Sequence, residues 1–242
     1  MSNPRYAVFL VAVLAVAAVA PVVAQDRISV FPPSGAPVGI PESQPDPFPQ
    51  GPITFYGDRP TFDAAHPGLP CEDWQDFTNN IVGCDAPANN GTSCPGGYNA
   101  GDILVGLEID CAQNSGPGGN GLVIIPAGFD GNPSITFGSN FFVDNTIVNL
   151  NPAVAAVGLD IQCHFGSPSV NVDVFDSTGA LVASTASACA NAGTFLGMDS
   201  NAPQGIGSIA INDPSGVSVE TTDDVCFGEM PIPVELMDLE VQ

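Results

Sequence analysis

Val170-Asn171-Val172-Asp173-Val174-Phe175-Asp176-Ser177-Thr178-Gly179-Ala180-Leu181-Val182-Ala183 sets valines against Asn171 and Asp173, turns through Ser177-Thr178-Gly179, and returns as a second apolar run. Valine at every second position turns one face of an extended chain toward a core, and a three-residue turn ending in glycine closes a hairpin. The same pattern continues in both directions. Short runs of Val, Ile, Phe and Thr at 72–77, 103–109, 122–125, 135–137, 141–150, 154–163, 194–198, 207–211 and 217–227 are separated by Gly, Pro, Asn and Asp. No long stretch beyond residue 24 carries an amphipathic 3.6-residue period. The pattern predicts an all-β fold, an antiparallel β-sandwich of the jelly-roll type. Its first strand is expected at Ile53-Thr54-Phe55-Tyr56, followed by a short helix over 58–65 with Asp58 as cap and Pro60 in the first turn.

Three segments flank that domain. Residues 1–24 combine Arg5, an apolar run over 6–23 and the small-residue pair Val22-x-Ala24, which is a secretory signal with a cleavage site before Gln25. Residues 25–52 are rich in proline, which favours extended, solvated chain, so they read as a tether or loosely docked arm. Residues 53–228 form the sandwich and 229–242 a tail. No second apolar stretch is long enough to span a bilayer, so no membrane insertion is expected after signal cleavage. The expected location is extracellular, in the periplasm or at the cell surface.

Lysine is absent, and the 26 acidic residues all lie beyond the signal against Arg27 and Arg59, a mature charge of about −24. Nucleic acid and anionic membranes are poor partners for such a surface, because both require basic groups. Solubility, self-repulsion and attraction of divalent cations follow.

Seven cysteines in an exported chain predict three disulfides and one remaining thiol. Cys71 precedes Asp73 by two residues and Cys226 follows Asp224 by two. If the first and last long strands pair antiparallel with Asp73 opposite Asp224, Cys71 stands opposite Cys226, within bridging reach. Cys163 and Cys189 flank the hairpin and can staple it. Two of Cys84, Cys94 and Cys111 join, most simply Cys84 with Cys94. A zinc site finds no C-x-x-C or H-x-x-H pair.

The same register draws Glu72, Asp73, Asp223 and Asp224 together. Four converging carboxylates repel unless protonated or bridged, and calcium, which takes several oxygen ligands in flexible geometry, is the expected cofactor. The plainer alternative has these side chains capping surface turns.

The loops of residues 83–121 are long, polar and glycine-rich and are expected at one edge of the sandwich, where binding sites gather. An extracellular glycan is the expected ligand, and stacking on sugar rings calls for exposed aromatics. Tyr98, in a glycine-rich loop, is the leading candidate. Trp74 is the second, although its strand position also suits the core; Tyr56, Phe141 and Phe142 are further choices. Catalysis has less to stand on. His66 and His164 sit in no recognisable motif, and Gly-x-Ser-x-Gly is absent. A two-carboxylate glycosidase is the remaining enzymatic option, with no pair singled out. The expected function is therefore non-enzymatic, in surface or matrix adhesion, against the alternative of a structural matrix component without a specific ligand.

The stretches 53–65, Gly68-Leu69-Pro70-Cys71-Glu72-Asp73-Trp74, Ala155-Ala156-Val157-Gly158-Leu159-Asp160, 172–181, Thr194-Phe195-Leu196-Gly197 and Asp223-Asp224-Val225-Cys226-Phe227-Gly228 resemble a family of secreted bacterial β-sandwich proteins often associated with PEP-CTERM-type sorting. The chain ends without that system's apolar helix and basic terminus, although Pro231-Ile232-Pro233-Val234-Glu235-Leu236-Met237 is similar to the segment that precedes it. A more distant likeness to MAM-type and carbohydrate-binding jelly rolls implies structural calcium at Glu72, Asp73, Asp223 and Asp224.

Overall fold

A computed structural model describes residues 53–111, 121–142, 144–166 and 168–228. The expected signal segment 1–24, the expected arm 25–52, the glycine-rich run 112–120 and the expected tail 229–242 lie outside the described residues. The decisive hairpin forms as expected from β10 (Ser169–Phe175) and β11 (Leu181–Ala188), with Val170, Val172 and Val174 buried and Asn171 exposed. Asp176 organises its turn: Oδ1 accepts from Thr178 N at 2.8 Å and Ala180 N at 3.0 Å, while Gly179 takes φ 80°.

The other elements are β1 (Thr54–Tyr56), α1 (Arg59–Ala65), β2 (Cys71–Glu72), β3 (Val82–Cys84), β4 (Ala88–Asn89), β5 (Leu107–Cys111), β6 (Leu122–Ile125), β7 (Thr136–Ser139), β8 (Thr146–Val154), β9 (Ala156–His164), β12 (Thr194–Asp199), β13 (Ile206–Asn212) and β14 (Val219–Gly228). They build two antiparallel sheets. The larger runs β1-β12-β9-β14-β7-β6-β3 with β2 beside β14; the smaller runs β11-β10-β13-β8-β5-β4. From β7 onward the chain places β7, β9, β12 and β14 in one sheet, ordered β12-β9-β14-β7, and β8, β10, β11 and β13 in the other, ordered β11-β10-β13-β8. That interleaving of two four-stranded layers is a jelly roll.

Between the layers, Ile109, Val148, Val172, Val174, Ile209 and Ile211 of the smaller sheet join a continuous core with Leu122, Ile124, Phe137, Leu159 and Ile161 of the larger. The helix begins where its cap predicts, with Asp58 Oδ1 accepting from Thr61 N at 2.9 Å and Phe62 as its buried residue.

Three strand expectations shift. The run 72–77 leaves the sheet after Glu72, because Trp74 adopts φ 54° and drives its indole into the core, where Nε1 donates to Thr222 O at 2.8 Å. The strand expected over 103–109 starts at Leu107, since Ile103 O and Leu104 N are already taken by Asn90 Nδ2 and Glu72 Oε2. The strand expected over 141–150 starts at Thr146, after a turn in which Asp144 N donates to Phe141 O.

Candidate functional site

The strand register predicted between the two ends of the domain is present: Cys71 pairs with Cys226 and Glu72 with Val225. Disulfides join Cys71 to Cys226, Cys84 to Cys94 and Cys163 to Cys189, and the Cys111 thiol is buried outside them. Three bridges fit an oxidising, extracellular compartment. No helix among the described residues is long and apolar enough to cross a membrane.

The four acidic candidates take different partners on folding. Glu72 turns inward, and its carboxylate accepts from Leu104 N at 2.8 Å and Trp74 N at 3.3 Å. Burial raises its pKa, opposed by those two amides. Asp73 is exposed and caps Gln75 N at 3.1 Å. Asp223 is buried against the Ser134 hydroxyl, and burial pushes it up to about 6. Asp224, at φ 46°, faces Arg59 across 3.7 Å. Arg59 in turn donates to Asp160 Oδ2 at 2.9 Å and to Asp224 O at 3.2 Å, with its guanidinium 4.7 Å from the Phe195 ring centre. A guanidinium therefore stands where the register draws acids together. Among the described residues no three His, Cys, Asp or Glu side chains converge as a metal centre.

The expected aromatic platform is not at Tyr98 or Trp74, because both rings are buried. Tyr98 is 4% exposed; its ring stacks on Phe77 at 4.7 Å and its hydroxyl pairs with Thr92 Oγ1 at 3.0 Å. Trp74 is fully buried beside Phe77 and Phe137. The Cys84–Cys94 bridge folds the loop inward, and an apolar ring beside a core is drawn into it. Of the further choices, Phe142 is 44% exposed. It edges onto Phe165, which edges onto Phe129, and these rings line an apolar groove with Ile81, Val123, Ile125 and Val219 on the larger sheet.

Both histidines are buried. His164 is fully buried, with Nε2 at 3.1 Å from Thr221 Oγ1, and burial lowers its pKa to about 4, so its ring is neutral at neutral pH. His66 packs against Phe62 and Tyr56.

The residues that motif reading missed lie on the outer face of the smaller sheet. Strand alternation buries Leu107, Ile109, Val148, Leu150 and Ile209 and turns their neighbours out. Register then aligns Leu181, Phe175, Ser208, Asn149, Glu108 and Asn89 in one row across all six strands. Five strand intervals make that row about 24 Å long. At its centre Glu108 is held from both sides: Asn89 Nδ2 donates to Oε2 at 3.0 Å and Asn149 Nδ2 to Oε1 at 3.1 Å. Two adjoining recesses of about 280 and 320 Å³ open along it and share Asn149 and Asn151. Phe175 is half-buried at one end. Fixed carboxamides and a carboxylate on a rigid sheet, with a ring at the end, can bind hydroxyls directionally. The alternation of Glu108 and Asp110 with Leu107, Ile109 and Cys111 was the sequence signal for half of this face.

No family model and no curated protein matches the chain. Among solved structures it is similar to the enzymatically active domain of bacteriophage CBA120 tailspike protein 4, at 14% identity and a TM-score of 0.27, over 65% of this chain and 20% of that one. The chain thus spans about a fifth of that protein's length, and a likeness so slight carries no argument about activity.

Proposed function

We propose that this is a secreted, non-enzymatic β-sandwich that acts in extracellular surface or matrix adhesion by recognising a glycan on the outer face of its smaller sheet. The supporting observation is the Asn89–Glu108–Asn149 bridge at the centre of the cross-strand row. Planar amide and carboxylate groups held at fixed angles suit sugar hydroxyls, which donate and accept in defined directions, and a preorganised site loses little conformational freedom on binding. Both oxygens of Glu108 already accept hydrogen bonds, which suits a fixed recognition group better than a mobile proton donor. The three disulfides, which fit an oxidising compartment, and the signal-like segment 1–24 support an extracellular location for this face.

Calcium enters the proposal as a counterion. Arg59 offers one positive charge to Asp224, beside which Asp160, Asp73 and Asp63 lie close enough to raise its pKa. A divalent cation would offset the remainder.

The test is binding of the oxidised protein, residues 25–242, to a panel of immobilised polysaccharides, with Asn149→Ala alongside. Saturable binding lost in Asn149→Ala, at unchanged melting temperature, is the expected result. Binding to no member of the panel, or full retention by Asn149→Ala, would overturn the assignment.

A further inference from the structure

We infer that the glycan taken by this face is a polymer of cationic amino sugars, rather than a neutral or acidic one; the inference rests on the glycan reading above. The face carries its own electrostatic statement. Glu108 and Asp110 point outward from β5, two residues apart and so about 7 Å apart along the strand. Asp173 lies in the same outward row as Asp110 through Ile147 and Ala210, three strand intervals or about 14 Å away. All three carboxylates are partly exposed.

No compensating cation stands on that face among the described residues. The chain contains no lysine, and Arg59 is engaged with Asp160 on the larger sheet. Carboxylates about 14 Å apart cannot converge on a single metal ion, whose oxygen ligands sit within about 2.6 Å of it. Spaced negative charges along a groove suit spaced positive charges along a chain. An ammonium-bearing sugar ring supplies them together with hydroxyls for Asn149 and Ser208.

The bridge itself leaves room for such a group. A carboxylate offers about four lone-pair sites, and Asn89 and Asn149 occupy two of those on Glu108. An ammonium donating to the others would form a charge-assisted hydrogen bond, roughly twice as strong as a neutral one. Acidic polysaccharides would meet charge of their own sign on a chain whose mature charge is about −24.

The experiment compares retention of the oxidised protein, residues 25–242, on immobilised chitosan, on its fully N-acetylated counterpart and on alginate, at low and raised salt. A general attraction between an acidic protein and a cationic polymer is separated by two variants with equal charge loss. Glu108→Gln with Asp110→Asn alters the face, whereas Asp63→Asn with Asp76→Asn alters exposed acids elsewhere. The expected result is chitosan binding about tenfold tighter than binding to the acetylated polymer, and weakened by salt. The face variant should weaken it about fivefold or more and the distant variant by less than about twofold. Equal binding to acetylated and deacetylated polymers would overturn this inference and leave the glycan reading standing. Equal weakening by both variants would overturn it as well, by assigning the attraction to net charge. Binding to no polysaccharide would overturn both.

Discussion

Gly158 on β9 stands directly opposite Gly197 on β12, and the ring of Phe62 from α1 fills the space that two side chains would otherwise occupy. A Cβ placed on Gly158 would come within 2.7 Å of Phe62 Cε1, and one on Gly197 within 2.6 Å of Phe62 Cδ2. The glycine pair is thus a socket that fixes the helix on the larger sheet and, with it, brings Arg59 onto Asp160. Phe62→Ala should cost about 3–5 kcal/mol, and Gly158→Ala about 1–3 kcal/mol by overpacking. Denaturant unfolding of the oxidised protein measures both, and a Gly158→Ala variant as stable as the parent would show that the ring can yield.

The Cys71–Cys226 bridge spans 155 residues and Cys84–Cys94 spans 10. On the chain-entropy model the first stabilises by about 5 kcal/mol and the second by about 3 kcal/mol. Replacing Cys71 and Cys226 by serine should therefore lower the melting temperature more than the same change at Cys84 and Cys94. The reverse order would mean that the unfolded chain is already compact around β2 and β14.

Stability should fall as pH rises from 6.5 to 8. Burial raises Glu220 from 4.5 to about 8, so across that interval the folded protein keeps a proton that the unfolded chain has released. The penalty is absent at low pH, where both states are protonated, and complete above the folded value. Asp223, raised to about 6, acts in the same direction at lower pH, while His164, lowered to about 4, opposes it there because its neutral form is the one buried. Above 6.5 Glu220 acts without that opposition, and one proton over 1.5 pH units limits its effect to about 2 kcal/mol. Melting curves at pH 6.5 and 8 should show the decline, and Glu220→Gln should flatten it. An unchanged slope in the variant would assign the decline to general charge repulsion.

Calcium should raise the melting temperature of the oxidised protein relative to chelator, and Asp224→Ala should reduce that rise. A variant that loses the same stability with calcium and with chelator would make Asp224 a partner of Arg59 alone.

Much of this architecture was legible before folding was considered, because it depends on local periodicity. Val170, Val172 and Val174 announce a half-buried strand by alternation, Asp58 and Pro60 announce a helix start, and the shared offset of Cys71–Asp73 and Asp224–Cys226 announces a strand pair. The two-residue β4 and three-residue β3 were not legible, since two or three residues carry no period.

What tertiary structure alone decided was which polar and aromatic side chains meet. Tyr98 sits in a glycine-rich loop that a linear reading sends to the surface, yet the Cys84–Cys94 bridge and the Phe77 ring draw it inside. Glu72 and Asp224 were placed together by register, but Glu72 turned to two backbone amides and Asp224 to Arg59, 165 residues away in the chain. Asn89, Glu108 and Asn149 bear no sequence relation to one another, and become one row because β4, β5 and β8 pair in a register set by their buried neighbours. Burial pattern is a property of successive residues and survives in the one-dimensional chain. A site is a property of residues from distant strands, and it exists only after the sheets have chosen their partners.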